Sequence, residues 1–243
     1  MNKTQLTDFI TKYTLGGEIK STKWTSNGNS LSTRFISGDK SVVGKVELSK
    51  FNHLSPCELG VYNTGQLSSL LSVLGDDVDV SLSNSGDKFI SMEFVDTKRK
   101  TKSKYMLSDL SVIPTPPELK NLPDSFELGI KVDPYFVNTF ISGKGALSEA
   151  ETFTILTENN ETKIVIGYAS IASNRVTIPV ETTKYKEIEP ISFNANMFAS
   201  ILNANKDCES ATLEVSSAGL SRIQFSIDNY DSEYFLVSTQ AVN

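Results

Sequence analysis

Four short stretches of the chain place apolar residues at i, i+3 and i+4, which is the spacing of one buried helix face. One lies in LTDFITKY, and another is DPYFVNTFIS, where Asp133 fits a helix cap and Pro134 fits the first helical position. The other two begin at Asn63 and Asn194, whose side chains can accept a hydrogen bond from the first turn. The pattern predicts four amphipathic helices, two in each half of the chain.

Between these stretches, apolar and polar residues alternate with a period of two, which is the pattern of antiparallel strands that bury one face. The alternation is clearest in NSLSTRFIS and KSVVGKVELS of the first half, and in TFTILTE, TKIVIGYAS and NRVTIPVE of the second half. Two short helices and many antiparallel strands in each half predict an α+β fold.

The segments that end the two halves resemble one another. The corresponding apolar positions are Leu67, Leu70 and Leu71 with Phe198, Ile201 and Leu202; Val80 and Leu82 with Leu213 and Val215; and Ile90, Met92 and Phe94 with Ile223, Phe225 and Ile227. Any two strand-helix-strand-strand units resemble one another to some extent. Here the apolar helix face and the alternation of apolar positions in both following strands correspond, which favours a duplication.

A proline-rich segment, Val112 to Phe126, separates the halves and holds four of the eight prolines of the chain. Such a density of proline favours an extended connector over a helix or a central strand. The sequence therefore predicts an N-terminal domain at residues 1–111, a connector at 112–125 and a C-terminal domain at 126–243.

Charge and composition narrow the possible functions. The chain has 243 residues and a net charge of −6, with a net +2 on residues 1–115 and a net −8 on residues 116–243. An acidic protein is not expected to attract nucleic acid through its overall charge. No run of eighteen apolar residues and no secretion signal occur, so we expect no membrane association and a cytoplasmic location.

Few residues are available for catalysis or metal binding. The chain has one histidine, His53, and two cysteines, Cys57 and Cys208, for which reduced thiols are favoured over a disulfide. A dyad of His53 and Cys57 is possible, but Pro56 between them disfavours a shared helix face, and an ordinary loop histidine is the favoured alternative. We predict no enzymatic activity, no metal site and no cofactor.

The order of two helices and many strands in each half, with a proline-rich connector, resembles the DNA polymerase sliding clamps. The likeness is nearest to the clamps of T-even-type bacteriophages and more distant to the eukaryotic proliferating cell nuclear antigen. It is carried by LGVYNTGQLSSLLSVLGDDVDVSLS, KYMLSDLSVIP, NRVTIPV and ISFNANMFASILNANKD. The resemblance implies the DNA clamp fold, with two duplicated domains per subunit and a homotrimeric ring whose helices line the hole.

The same resemblance implies the function of a processivity factor. The ring would encircle double-stranded DNA without reading its sequence, tether the DNA polymerase and other DNA-processing proteins, and be placed on DNA by a clamp loader. A closed ring stays on DNA without binding it tightly. An acidic protein can therefore remain on DNA with few phosphate contacts, some of them through water.

Candidate DNA-facing residues are few, although strongly basic linings are common in the family. Near the predicted helices they are Lys3, Lys12, Lys144 and Lys206, on surfaces otherwise rich in hydroxyl and amide groups. The segment TKRKTKSK, Thr97 to Lys104, reads as the tip of a hairpin and adds Lys98, Arg99 and Lys100 as the best source of positive potential. For each of these residues, a merely solubilising surface position is the alternative.

Subunit contacts and a partner site are also implied by the resemblance. The edge strands that would join neighbouring subunits carry Tyr105, Met106 and Leu107 on one side and Val176, Ile178 and Val180 on the other. The pocket for a hydrophobic peptide of a partner would contain Val43, Ile113, Pro114, Leu119, Phe235 and Val237. The alternative for this second set is that it only seals the core between the domains.

Two other classes of protein share some of these features. A β-rich phage structural protein with repeated domains, such as a tail or decoration component, would also lack catalytic residues, but it seldom repeats paired helices in register. A single-stranded nucleic-acid binder needs aromatic residues interleaved with basic ones, and the basic segment lacks that interleaving. The sliding clamp is therefore the favoured interpretation.

Overall fold

The computed structural model describes residues 1–118, 122–123, 125–169 and 174–239. The helices in these ranges are α1 (Lys3–Thr14), α2 (Thr64–Ser72), α3 (Pro134–Ala146) and α4 (Ala195–Ala204), with short 3-10 turns at Leu15–Gly17 and Leu110–Val112. The longest of them has 13 residues, and none of the described helices is long and apolar enough to cross a membrane.

Sixteen strands complete the described fold, which is α+β as predicted. They are β1 (Thr22–Ser26), β2 (Ser30–Ile36), β3 (Val42–Ser49), β4 (Cys57–Val61), β5 (Val78–Ser85), β6 (Lys88–Asp96), β7 (Lys102–Met106), β8 (Leu128–Val132), β9 (Thr152–Glu158), β10 (Glu161–Ile166), β11 (Val176–Val180), β12 (Thr182–Lys184), β13 (Ile191–Asn194), β14 (Ala211–Ser216), β15 (Leu220–Ile227) and β16 (Tyr230–Val237).

By their internal contacts the residues form two compact units. Unit 1 consists of Met1–Gly38, Gly44–Pro117 and Asp228–Ser232, and unit 2 consists of Asp39–Val43, Glu118–Ile227 and Glu233–Asn243. The main division falls between Pro117 and Glu118, inside the segment predicted as a connector. Each unit also contains a short piece from the other half of the chain, which a linear division at 112–125 does not anticipate.

The two units repeat one strand order. In unit 1 the sheets run β3-β2-β1-β4 and β5-β6-β7, and in unit 2 the matching orders are β11-β10-β9-β13 and β14-β15-β16. In unit 2, β8 pairs with β14 just ahead of α3, and in unit 1 a bridge between Asn2 and Asp77 occupies the corresponding place ahead of α1. The duplication predicted from the sequence is therefore present in the fold.

The predicted helix starts are confirmed. Oδ1 of Asp133 accepts the main-chain N–H of Phe136 at 2.9 Å, and Pro134 occupies the first position of α3. Oδ1 of Asn63 and Oδ1 of Asn194 each accept an N–H three residues later, at 3.0 Å. Because these caps satisfy donors that the helix leaves unpaired, the local sequence sets where the helices begin.

Aromatic side chains fill the core of each unit. In unit 1, Tyr13 and Trp24 are fully buried, and the Tyr13 hydroxyl accepts the Trp24 indole N–H at 3.2 Å and donates to Thr64 Oγ1 at 3.3 Å. Burial raises the pKa of Tyr13 far above its ordinary value. In unit 2, Phe153 lies between the rings of Phe140, Phe193 and Phe198, with centroid distances from 4.9 to 5.7 Å. These clusters hold the helix pairs on their sheets.

One predicted buried position is wrong. The alternation in β6 predicts that Ile90, Met92 and Phe94 share a buried face, and Met92 and Phe94 are fully buried, but Ile90 is 38% exposed. Ser83 pairs with Ser91 while Asn84 pairs with Phe89, so Ile90 is the extra residue of a β-bulge. A bulge breaks the period of two and redirects the side chain.

Candidate interaction surfaces

The exposed helix surface of unit 1 is polar and nearly uncharged. It presents Thr4, Asp8 and Thr11 of α1 and Gln66, Ser69 and Ser72 of α2. Three of its hydroxyl groups donate to carbonyls of their own helices, at distances from 2.7 to 3.0 Å. These O–H donors are therefore engaged within the helices, which is the usual arrangement for Ser and Thr inside a helix. The prediction of a hydroxyl- and amide-rich surface is confirmed for this unit.

The exposed helix surface of unit 2 has the same character. Asn138 and Ser142 of α3 and Asn196 and Asn203 of α4 are exposed, and Ala199 is half-buried. Lys206 lies just beyond the end of α4 and is exposed. Apart from Tyr135 near the start of α3, which is 77% exposed, amides and a hydroxyl dominate, so neither helix pair presents a strongly charged surface.

Lys12 and Lys144, both expected to face DNA, do not lie on the exposed helix faces. Lys12 is 6% exposed, and its Nζ lies 5.3 Å from the centre of the Tyr230 ring in unit 1. Lys144 is 8% exposed, and its Nζ donates to the Ser148 carbonyl at 2.7 Å, beyond the last turn of α3. The lysine thus binds a carbonyl of the turn that follows the helix. The prediction of exposure is wrong for both residues.

Lys3 is also engaged within unit 1. It is half-buried, and its Nζ donates to the carbonyl of Leu74, just after the end of α2. A positive charge at the carboxyl end of a helix is stabilised by the unpaired carbonyls there. Positive charge that could attract an anionic ligand near the helices therefore comes mainly from residues outside the helices.

The segment from Asp96 to Thr101 is a tight hairpin tip between β6 and β7. Asp96 is 2% exposed, its Oδ1 accepts the N–H groups of Lys98 and Arg99 at 2.8 and 2.7 Å, and its Oδ2 accepts Gly75 N–H at 2.8 Å. Added atoms at Gly75 would collide with this carboxylate, because a Cβ there would lie 2.5 Å from Oδ2. The tip is thus held in place by one buried carboxylate.

The basic side chains at this tip are exposed, as expected for a hairpin. Lys98, Arg99 and Lys100 all lie on the surface. Lys98 Nζ is 3.2 Å from Asp77 Oδ2, and Lys102 Nζ is 3.8 Å from Glu93 Oε1. Because both of these pairs are largely exposed, each carboxylate neutralises its lysine only weakly, and another anion can replace it.

A pH-dependent loss of stability follows from Asp96. Its pKa is lowered chiefly by the N–H groups of Arg99 and Gly75, so the folded chain holds the carboxylate more strongly than the unfolded chain does. The resulting stabilisation is complete above the unfolded pKa of about 4 and is lost as the pH falls through the lower folded value. We expect urea unfolding between pH 5 and about pH 2 to show a smaller decline for Asp96→Asn than for the unaltered chain.

Asp79→Asn, at a neighbouring exposed carboxylate, is the matched control for this measurement. Its decline with pH should follow that of the unaltered chain. An Asp96→Asn variant that loses stability with acid as steeply as the unaltered chain would show that the carboxylate is not the group that titrates.

The first predicted subunit strand, β7, lies at one edge of its sheet within the described residues. Met106 is 60% exposed, whereas Tyr105 is buried and its hydroxyl accepts Asn63 N–H at 2.9 Å. Leu107 is half-buried and its N–H donates to the Ile90 carbonyl at 2.9 Å. Of the three predicted contact residues, Met106 therefore has the most side-chain surface available to another chain.

The second predicted subunit strand, β11, also lies at a sheet edge within the described residues. Ile178 is buried, and Val176 and Val180 are half-buried. Pro179 pairs with Lys163 of β10. Because proline has no N–H, these two residues form one of the non-hydrogen-bonded pairs of the antiparallel ladder. The nitrogen of Pro179 thus points to the outer edge, where Thr177 presents its main-chain groups as well.

The residues predicted for a partner-peptide pocket are distributed over both units. Ile113 is buried and Pro114 is exposed in unit 1, where both line a surface cavity of about 300 Å³. In unit 2, Val43 and Phe235 are buried and Val237 is 44% exposed, with its N–H donating to the Ser41 carbonyl at 2.9 Å. Leu119 lies outside the described residues.

The possible dyad of His53 and Cys57 gains no support. His53 lies on the surface with its ring edge against Phe51, at a centroid distance of 5.3 Å. Burial raises the pKa of the Cys57 thiol, which disfavours the thiolate that a nucleophile needs. The ordinary loop histidine is the better description.

No protein-family model matches the chain, and no curated protein matches it in sequence. Among solved structures, the chain is similar to the crystal structure of the proliferating cellular nuclear antigen from Entamoeba histolytica. The TM-score is 0.76 at 14% sequence identity, and the match covers 98% of this chain and 96% of the other. At this identity the likeness shows the fold, and the chain therefore has the α+β clamp fold over nearly its whole length.

Proposed function

We propose that this protein is a DNA polymerase sliding clamp. Three copies form a ring that encircles duplex DNA, tethers the polymerase and other DNA-processing proteins, and is placed on DNA by a clamp loader. The observation that carries the proposal is the match to a clamp over 98% of the chain, with the two-unit duplication intact. The protein would act as a scaffold and not as an enzyme.

The chemistry of the helix surfaces supports sliding. A ring that moves along DNA must avoid strong fixed contacts with phosphates, since each such contact slows release. Most of the exposed helix residues carry hydroxyls or amides, and three of the hydroxyl donors are engaged within their helices. Lys12 and Lys144 are buried. Such a surface suits weak, water-mediated contact with DNA.

The two edge strands support ring closure. An unpaired strand edge offers N–H and C=O groups to another chain and is a liability if left open. Each copy carries one such edge at β7 and another at β11, so copies can pair head to tail and close a ring. Pro179 removes one donor from the β11 edge, which limits the number of hydrogen bonds at each contact.

Client proteins would dock through a short apolar peptide. We assign this role to Val43, Ile113, Pro114, Leu119, Phe235 and Val237, following the sequence resemblance. The partially exposed Val237 and the cavity beside Ile113 and Pro114 are consistent with this assignment. The resemblance of LGVYNTGQLSSLLSVLGDDVDVSLS and the other clamp-like segments to T-even-type bacteriophage clamps suggests such a phage as the source. The location would then be the cytoplasm of the host.

The proposal is tested by solution mass and by retention on DNA. One chain has a mass of 26.7 kDa, so sedimentation should show a species of about three times that mass. Once loaded, the ring should be retained on circular DNA and lost from the same DNA after linearisation. A chain that stays monomeric at high concentration, or equal retention on both forms, would remove the topological mechanism.

Replacement of Lys98, Arg99 and Lys100 by Ser is expected to weaken salt-sensitive contact with DNA and to leave the oligomer intact. These three side chains lie exposed at the hairpin tip and supply positive potential that the helix faces lack. Removing three phosphate contacts should reduce the slope of log affinity against log salt by about 2 to 3. Binding to a short duplex would be measured by fluorescence anisotropy over a series of salt concentrations.

A control with the same loss of charge is Lys20, Lys50 and Lys186 replaced by Ser, since these lysines are exposed but spread over the chain. The control should keep most of the salt dependence. If the hairpin variant and the control behave alike at low salt, the hairpin is only a solvated tip.

A further inference from the structure

Two surface cavities lie side by side in unit 1, around the 3-10 turn at Leu110–Val112. One has a volume of about 440 Å³ and the other about 300 Å³. Leu110, which is 39% exposed, lines both of them. Lys23 lines the smaller cavity and Glu58 the larger, and these two side chains pair at 2.8 Å. The two cavities therefore adjoin at Leu110, and together they are called the groove.

The larger cavity has an apolar floor and an acidic rim. Phe89, Ile90 and Leu107 line it together with Leu110. Its carboxylates are Glu58, Asp87 and Asp109, against a single cation, Lys88, whose Nζ lies 2.6 Å from Asp109 Oδ2. The bulge described above turns Ile90 out of the sheet and into this lining. This end of the groove favours an apolar group with a positive charge beside it.

The smaller cavity has the opposite charge. Lys23, Arg34 and Lys45 line it, and its lining contains no carboxylate among the described residues. Its apolar part is Leu110, Ile113 and the prolines of the connector. Lys23 and Lys45 pair with Glu58 and Glu47, but their side chains stay about half exposed, and such pairs exchange partners at little cost. This end of the groove favours a carboxylate.

The turn between the cavities is held rigidly. Ser108 N–H donates to the Gly60 carbonyl at 2.9 Å, and a Cβ at Gly60 would lie 2.3 Å from the Ser108 carbonyl oxygen, so the two segments touch. Oδ1 of Asp109 accepts Ser111 N–H at 3.0 Å, which fixes the start of the turn. Preformed sites bind with less loss of conformational entropy, which favours a ligand-binding role for the groove.

We propose that this groove is a docking site for an extended peptide segment of a partner protein, with a cationic side chain at the acidic end, apolar side chains over Leu110 and a carboxylate at the basic end. Both cavities have the size of side-chain pockets, and the charge separation gives the peptide a defined register. A nucleic-acid strand fits less well, because its phosphates would be repelled by the acidic end.

This site extends the proposed client-peptide site and rests in part on it, because Ile113 and Pro114 line the basic end. Val43, Phe235 and Val237 line neither cavity. Leu107, which is also a predicted subunit contact, lines the acidic end. The groove is formed entirely by unit 1, and its occupation requires neither DNA nor ring closure. A failure here leaves the retention of the ring on circular DNA unchanged, so the two proposals fail separately.

Three labelled ten-residue peptides test the proposal by fluorescence anisotropy. All have a Leu-Phe centre; one has two lysines at one end and two glutamates at the other, the second has lysines at both ends, and the third has glutamates at both ends. The peptide with opposite ends should bind about tenfold more tightly than either of the others. Equal affinities, or no binding of any peptide up to about 1 mM, would overturn the proposal.

Charge reversals on the protein locate the binding. Asp87→Lys should lower the affinity for the peptide with opposite ends about fivefold and raise the affinity for the peptide with two glutamate ends about fivefold. Lys45→Glu should raise the affinity for the peptide with two lysine ends to a similar extent. Leu110→Ser should weaken all three. Glu18→Lys and Lys20→Glu are matched controls, because both residues are exposed and line neither cavity.

Each variant is first checked for an unchanged thermal unfolding midpoint, which separates binding from misfolding. Controls that shift affinity as much as the groove variants would overturn the assignment to this groove. Displacement of the peptide by a short DNA duplex in the unaltered protein, lost in Lys45→Glu, would instead assign the basic end to phosphate and also overturn it.

Discussion

If the protein forms the proposed ring, protein that carries Met106→Glu is expected to sediment as a single chain at concentrations at which the unaltered protein is trimeric. Met106 is 60% exposed on the edge strand β7, where the proposed ring would cover it. At each of the three proposed interfaces the change would remove about 1–2 kcal/mol of apolar burial, and the buried carboxylate would cost several kcal/mol more. Retention on circular DNA should fall to the level seen with linear DNA.

Val112→Glu is the matched control for this prediction. Val112 is 57% exposed in the same unit but lies in the 3-10 turn and not on β7, so the same charge change should leave the ring intact. Met106→Leu should also remain trimeric, since an apolar side chain of similar volume is kept. A Met106→Glu protein that stays trimeric would show that β7 is not a subunit contact.

Phe153→Ala is expected to lower the free energy of unfolding of unit 2 by about 3–5 kcal/mol. The ring of Phe153 is fully buried, and its centroid lies 4.9 Å from that of Phe198 on α4 and 5.2 Å from that of Phe140 on α3. Its loss leaves a cavity under both helices of the unit. Hydrogen exchange should therefore show loss of protection in α3 and α4, with the amides of α1 and α2 changing much less.

Phe153→Leu should cost distinctly less than Phe153→Ala, because most of the side-chain volume is kept and only the ring contacts are lost. Urea unfolding followed by circular dichroism gives the free energies, and the exchange data assign them to a unit. A cost for Phe153→Ala below about 1 kcal/mol would show that the cluster is not closely packed.

Local features of this protein could be predicted from its sequence. The caps at Asn63, Asp133 and Asn194 accept hydrogen bonds from the first turn just as their residue types and positions predict. Alternation predicts most of the strands, and the repeat predicts that the two units share a strand order. These features depend on interactions between residues close together in the chain, so periodicity and residue type are sufficient to find them.

The burial and contacts of individual side chains could not be predicted from periodicity and residue type. Lys12 lies on Tyr230, far away in sequence, although helical periodicity assigns it to solvent. Lys144 donates to the Ser148 carbonyl in the turn that follows its own helix. Ile90 is exposed because one residue of β6 is inserted against β5. In each case the outcome depends on which segment packs nearby, and a periodic pattern holds no information about that.

The local order of apolar and polar residues was sufficient to predict the helices, most of the strands, the duplication and the polar helix faces. The two edge strands were expected from the resemblance to sliding clamps, because the position of a strand in its sheet depends on which other strands pair with it. The complete fold was needed to show which residues form each compact unit, which lysines are exposed, and that cavities of opposite charge meet at Leu110. Those properties arise when distant segments such as Gly60 and Ser108 come into contact, and the energy of such contacts depends on the complete packing of the chain.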